Sequence, residues 1–139
     1  FEETLRFWFD RGAAGFRVDV AHGLVKDPTY PDTPPDWEMP QDPPFTDVHP
    51  AWDQEGVHDV YRAWRRVADS YPDQRVFVGE VHLSPLKRLA RYLRPDELHT
   101  AFNFDFLNCP WDETALRRSI DGTLATHTPL NAPATWVLS

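Results

Sequence analysis

One cysteine, Cys109, one methionine and six glycines are all the chain has of those residues among its 139. A lone thiol cannot close an internal disulfide, and no Cys/His spacing around it suits zinc, so neither staple supports the fold; the balance leans towards the cytoplasm. Basic residues are also short: 14 Lys/Arg stand against 22 Asp/Glu, for a formal net charge of −8. No Lys/Arg cluster can track a phosphate backbone, which excludes nucleic acid as a partner. No apolar run approaches the roughly 20 residues of a membrane span, and no signal peptide is visible. The chain starts FEETLRFWF without an initiator methionine and stops inside the apolar run ATWVLS. It is therefore expected to be a piece of a larger domain, with any leader ahead of Phe1 left open.

What is present is globular, with 41% hydrophobic and 14% aromatic residues, enough for a sizeable core. Phe1, Leu5, Trp8 and Phe9 share one helical face, with acidic Glu2 and Glu3 in the first turn and Gly12 as a stop. The stretch 54–71 places Val57, Val60, Tyr61, Trp64, Val67, Ala68 and Tyr71 at steps of three and four, a helix with Asp53 as its N-cap. RVFVGEV at 75–81 follows as a valine-rich strand. SPLKRLARYL at 84–93 is expected to be helical from Pro85 on, and HTAFNFDFL at 99–107 to be a strand. WDETALRRSIDGTLAT at 111–126 is a helix broken or bent near Gly122, and ATWVLS closes as a strand.

Strands alternating with helices predict an α/β fold with a parallel sheet. Four strands make half of an eightfold barrel or much of an open doubly wound sheet. One connection breaks the rhythm. About 33 residues, 21–53, separate the first strand from the next helix, where βα loops usually hold about 2–6. Eight of the fourteen prolines lie there, with Tyr30, Trp37, Phe45 and Trp52 among them. The aromatics argue for an ordered excursion over a linker, and loops leaving the C-terminal ends of strands line the active site in both folds.

The first strand, GFRVDVAHG at 15–23, alternates Phe16, Val18 and Val20 with Arg17 and Asp19, sending charge to one face. Asp19 ends that strand and Glu80 ends the next. As parallel neighbours about 4.8 Å apart, the two strands bring the carboxylates together. Such a pair permits retaining glycoside hydrolysis, which needs about 5–5.5 Å between carboxyl groups. Arg17 shares the face of Asp19 and can hold it ionised, while the apolar setting of Glu80 is expected to raise its pKa as an acid requires. A structural ion pair from Arg17 to either carboxylate fits the same spacing, and spacing alone does not separate the two readings.

GFRVDVAH resembles the second conserved stretch of the α-amylase superfamily, glycoside hydrolase family 13, and RVFVGEV resembles its third. DVAHGLVKDP, LRPDELHTAFNFDFL and APATWVLS are most similar to bacterial α-glucosidases of the oligo-1,6-glucosidase type, so that the likeness covers nearly the whole chain. The resemblance implies strands four to seven, with their helices, of a partial TIM (β/α)8 barrel, incomplete at both ends over 1–139, with 21–53 as a long substrate-side loop. It makes Asp19 the nucleophile, Glu80 the general acid/base and Arg17 the cation that orients Asp19 inside the barrel. His82, Val20, His22 and Phe16 become substrate-side residues, Val20 with a lean to α-1,6 linkages. In the family the last strand runs into Asn-His-Asp, whose aspartate stabilises the transition state; Ser139 stands one residue short of it.

The implied enzyme is a retaining α-glucosidase that releases glucose from the non-reducing end of short α-glucosides, needing no organic cofactor and no metal. A transglucosidase or a sucrose-cleaving relative uses the same intermediate. A non-catalytic binding subunit on the same fold is the alternative of another class, although Asp19, Glu80 and Arg17 are all present. His22 and His82 can reach a sugar hydroxyl or hold a loop. His49 and His58 are expected at the surface or in helix packing, Trp37, Phe45 and Trp52 on sugar faces or as loop anchors. Asn103 and Asp105 are expected as polar filling on the inward face of the third strand.

Overall fold

The computed structural model describes residues 1–32 and 49–138. Helix α1, Glu2–Phe9, begins with two acidic residues in its first turn and buries Leu5 and Phe9. Gly12 follows at φ 91°, a left-handed turn that costs a glycine little. Phe1 and Trp8, expected on the buried face, are exposed at 89% and 48%. Strand β1, Gly15–Val18, comes next, then the long connection, then α2, Val57–Asp69. The rest alternates: β2, Val76–Gly79; α3, Leu86–Ala90; β3, Thr100–Asn103; one-turn α4, Phe104–Leu107; α5, Glu113–His127; and β4, Thr135–Trp136. Short 3-10 turns extend three of these joints at Ala21–Gly23, Arg91–Leu93 and Thr128–Leu130.

All four strands are parallel and lie in chain order β1-β2-β3-β4. Crossovers between sequential parallel neighbours follow one hand as a rule, which puts the connecting helices on one face of the sheet. That face carries Val18, Phe77, Gly79, Ala101 and Asn103, all buried, whereas their strand neighbours are half-buried or exposed. Phe9 joins the layers, its ring 5.4 Å from Phe16, 5.2 Å from Tyr71 and 6.1 Å from Phe77. Gly79 is needed at its place: a Cβ there would lie 2.5 Å from a methyl of Leu98 and crowd Val81.

Several expected boundaries move. The first strand ends at Val18 rather than near Val20, because Val20 turns left-handed (φ 41°, ψ 50°) into the 3-10 turn. Asp53 does not cap α2, whose N-cap is Gly56; its carboxylate instead accepts from Arg88 and from the Tyr92 hydroxyl at 2.6–2.8 Å. The third strand stops at Asn103, since the Asn103 side chain accepts the Phe106 N–H and caps a helix where alternation suggests more strand. Helix α5 runs unbroken through Gly122, with Asp112 as its cap.

Buried charge ties the outer layer. Glu97 is wholly buried and accepts from His58 (2.7 Å), Arg62 (3.1 Å) and Arg94 (3.3 Å), joining α2 to the segment before β3. His58 is thus a packing residue of its helix. His49 is neither at the surface nor on a helix: it lies buried against Trp52, ring centroids 4.3 Å apart.

Candidate active site

The β1 and β2 ladder runs one residue past the strands, with the Glu80 N–H on the Val18 carbonyl and the Ala21 N–H on the Glu80 carbonyl, both 2.9 Å. The two strand ends are thereby fixed side by side. Arg17 pairs with Val78 in register, and its face therefore continues to Asp19 on one strand and Glu80 on the other. The guanidinium spans both: Nη1 lies 2.5 Å from Asp19 Oδ1 and Nη2 2.9 Å from Glu80 Oε2. The Asp19 side chain is 72% exposed and that of Glu80 only 18%.

Glu80 is held at both oxygens. Oε2 also takes the Val20 N–H at 3.1 Å, and Oε1 meets His82 Nε2 at 3.1 Å. Burial alone pushes this carboxyl up, but the Val20 N–H, His82, Asp19 and Arg17 together pull it down to about 2. The expected upward shift is therefore reversed, because the strand end supplies donors that an apolar neighbourhood of valines does not reveal. Left-handed backbone is uncommon for a β-branched residue, and at Val20 it aims the amide at Glu80 while leaving the side chain 48% exposed beside the carboxylates. The turn is pinned from behind by the Tyr61 hydroxyl, which donates to the Ala21 carbonyl at 2.5 Å.

His22 and His82 stand together, ring centroids 5.8 Å apart, with the His82 N–H directed at His22 Nδ1 over 3.5 Å. Burial lowers the His22 pKa to about 4 and keeps its ring neutral. His22 also faces Trp52 at 6.0 Å, in the returning end of the long connection. That end is fastened by Lys26, whose ammonium donates to the carbonyls of Gly23 (2.6 Å) and Ala51 (2.8 Å), and by the Asp53 N–H on the His22 carbonyl (2.7 Å). Trp52 is thus a loop anchor, 6% exposed. Trp37 and Phe45 lie outside the described residues.

Asp19, Glu80, Arg17, Val20, His22 and His82 are brought together; Phe16 is not. Its ring turns to the helix side, against Phe9 and, at 6.4 Å, Phe77, which makes it a packing residue. Asn103 also faces the helices, donating to Thr123 Oγ1 of α5 at 2.8 Å, and Asp105 sits on α4 instead of the strand, where burial pushes its carboxyl up. Phe104 joins the site without any signal in the sequence. Its ring stacks on His82 at 3.9 Å and 22°, a contact hidden by the apparent alternation of Phe102, Phe104 and Phe106. Among the described residues no three His, Cys, Asp or Glu side chains are placed to hold a metal ion, and no helix is long and apolar enough to cross a membrane.

The profile of the α-amylase catalytic domain matches residues 1–132. The chain is 33% identical to maltase A2 of Drosophila melanogaster over 103 residues, 65% of this chain and 18% of that protein. It is 26% identical to a salivary α-glucosidase of Aedes aegypti over 157 aligned residues, 99% of this chain and 26% of the relative. Among solved structures, the α-glucosyl transfer enzyme XgtA superposes with a TM-score of 0.77 at 25% identity, over 99% of this chain and 27% of that one. A family GH13_31 enzyme shares the fold at a TM-score of 0.72 and 17% identity, over 96% of this chain and 25% of its own. The chain spans about a fifth to a quarter of the length of these proteins.

Proposed function

The chain belongs to the α-amylase family, and on that premise we propose that it carries the two working carboxylates of a retaining α-glucosidase acting on short α-glucosides. The observation that carries the reading is the single Arg17 guanidinium bridging Asp19 and Glu80 at adjacent strand ends. One guanidinium that holds both carboxylates within 2.9 Å of its two Nη atoms favours the short separation of a retaining pair, about 5–5.5 Å, over the about 6.5–9.5 Å of an inverting one. Asp19, the more exposed, attacks the anomeric carbon and forms the glucosyl ester. Glu80 gives its proton to the departing glycosidic oxygen as that bond breaks.

In the free protein Glu80 is ionised. A sugar seated over the pair excludes water, and two carboxylates at this range cannot then both stay charged, so the pair takes up one proton. In the second half, Glu80 takes a proton from water as the water oxygen attacks the anomeric carbon and frees Asp19. Val20 stands exposed beside the carboxylates and borders the sugar, while His22 is buried behind His82, and the long connection leaves from the same strand end.

The test is the anomer first released from maltose by the full-length natural protein, followed by NMR. Initial α-glucose supports retention, and initial β-glucose sinks the reading. A fluorinated glucosyl fluoride that turns over slowly should label the peptide containing Asp19. Transfer of the glucosyl group to a second sugar is favoured as an alternative by the likeness to an α-glucosyl transfer enzyme. Products from maltose, isomaltose and sucrose distinguish water from sugar as acceptor.

A further inference from the structure

We propose that His82 and Phe104 form a stacked shelf that positions Glu80 for proton transfer, and that this shelf is set from α5 through Asn103 and Thr123. The inference rests on the reading of Glu80 as the acid/base and adds to it two positioning residues. A glutamate has three side-chain torsions, and an acid that must deliver a proton to one oxygen from one direction needs them fixed. Val20 and Arg17 hold Oε2. His82 holds Oε1 at 3.1 Å, so its ring settles where the second oxygen points.

The ring of His82 has its own support. Past Gly79, Glu80 and His82 are half-buried, while Val81 between them is wholly buried in the core. Phe104 then lies over the imidazole face to face, 3.9 Å between centroids and 22° between planes. Had β3 continued, alternation would have carried Phe104 along the strand. It is instead the first residue of α4, because Asn103 accepts the Phe106 N–H at 3.0 Å and ends the strand. Asn103 cannot swing away: its amide donates to Thr123 Oγ1 at 2.8 Å, and that hydroxyl donates back to the Ser119 carbonyl at 2.8 Å. Both Asn103 and Thr123 are buried at 1% and 0% exposure. A buried hydrogen bond on the helix side of the sheet thus fixes the aromatic face under the histidine that holds the acid.

The experiment uses the full-length natural protein and compares maltose, whose leaving group needs a proton, with a dinitrophenyl α-glucoside, whose leaving group does not. Phe104→Leu and His82→Asn should each lower kcat on maltose roughly ten- to a hundredfold, with KM little changed and the activated substrate hardly affected. Phe104→Tyr, which restores a ring, should recover most of the loss. On a Glu80→Gln background Phe104→Leu should cost nothing further, because there is no proton left to place. Equal losses on both substrates, a loss confined to KM, or additivity with Glu80→Gln would overturn the shelf. If Glu80→Gln itself shows no dependence on leaving group, the acid assignment fails and the shelf falls with it; if it does and the shelf variants do not, only the shelf falls. Should Phe104→Leu fold poorly by circular dichroism, Phe104→Met and His82→Asn give the same readout.

Discussion

Arg17 and Asp19 belong by resemblance to the inside of a barrel, where removing the cation would strand a buried charge. In the described residues their side chains are 49% and 72% exposed, so the pair contributes little to stability and much to placing charge. In the full-length natural protein Arg17→Leu should therefore lower kcat/KM far more than it lowers the melting temperature. Without the guanidinium the pair binds protons more readily, and both limbs of the kcat/KM profile should move to higher pH; a large drop in melting temperature with unmoved limbs would make Arg17 a structural residue. His22 behaves oppositely, as a stability group. Its pKa falls by burial from 6.5 to about 4, so between those values the unfolded chain binds a proton that the folded chain does not. Its share of stability is intact above pH 6.5 and is lost as pH falls through 4, by up to about 3 kcal/mol. His22→Asn, which keeps an acceptor for the His82 N–H, should flatten the fall in melting temperature between pH 6.5 and pH 4. An identical slope in both proteins would contradict a neutral buried imidazole.

Elements whose cause is local are legible in the amino-acid order itself: the stripe of α2, the valines of β2 and the parallel order imposed by alternating helices and strands. Where a distant partner decides, local pattern misleads. Asp53 has the chemistry of a helix cap, but Arg88 and Tyr92, 35 and 39 residues on, take both of its oxygens. The phenylalanines of 102–106 have strand periodicity, yet a hydrogen bond from Asn103 to Thr123 outweighs it by making a cap the better use of that side chain. The nearness of Asp19, Glu80 and Arg17 is visible because strand period is local and alternating helices make β1 and β2 parallel neighbours; spacing alone does not tell a working pair from a structural ion pair. The donors that lower the Glu80 pKa are not visible, since one is a backbone amide aimed by a left-handed valine. Thr123→Val tests the weight of the distant partner. It keeps the shape and removes one side of a buried hydrogen bond, so thermal unfolding should show a loss of about 1–3 kcal/mol. Preserved stability would mean that α4 holds its place without α5.

At the scale of the whole molecule, a parallel sheet is ordinarily covered on both faces, and among the described residues the helices cover one. Strands β1 and β4 are the two edges of the order β1-β2-β3-β4 and do not pair with each other. Backbone groups along those edges, and half-buried Val76, Val78 and Phe102 on the open face, offer a template for a second copy. The same openness bears on chemistry. A bridging guanidinium that is half exposed works in a nearly aqueous dielectric, where fixed charges stabilise a developing oxocarbenium ion far less than in a closed site. Produced by itself, the 139-residue chain should therefore elute from size-exclusion chromatography as oligomers or aggregates and show no turnover of nitrophenyl α-glucoside, even though Arg17, Asp19 and Glu80 are in place. A monodisperse monomer with measurable turnover would mean that four strands and one covered face are enough both to fold and to exclude water from the carboxylates.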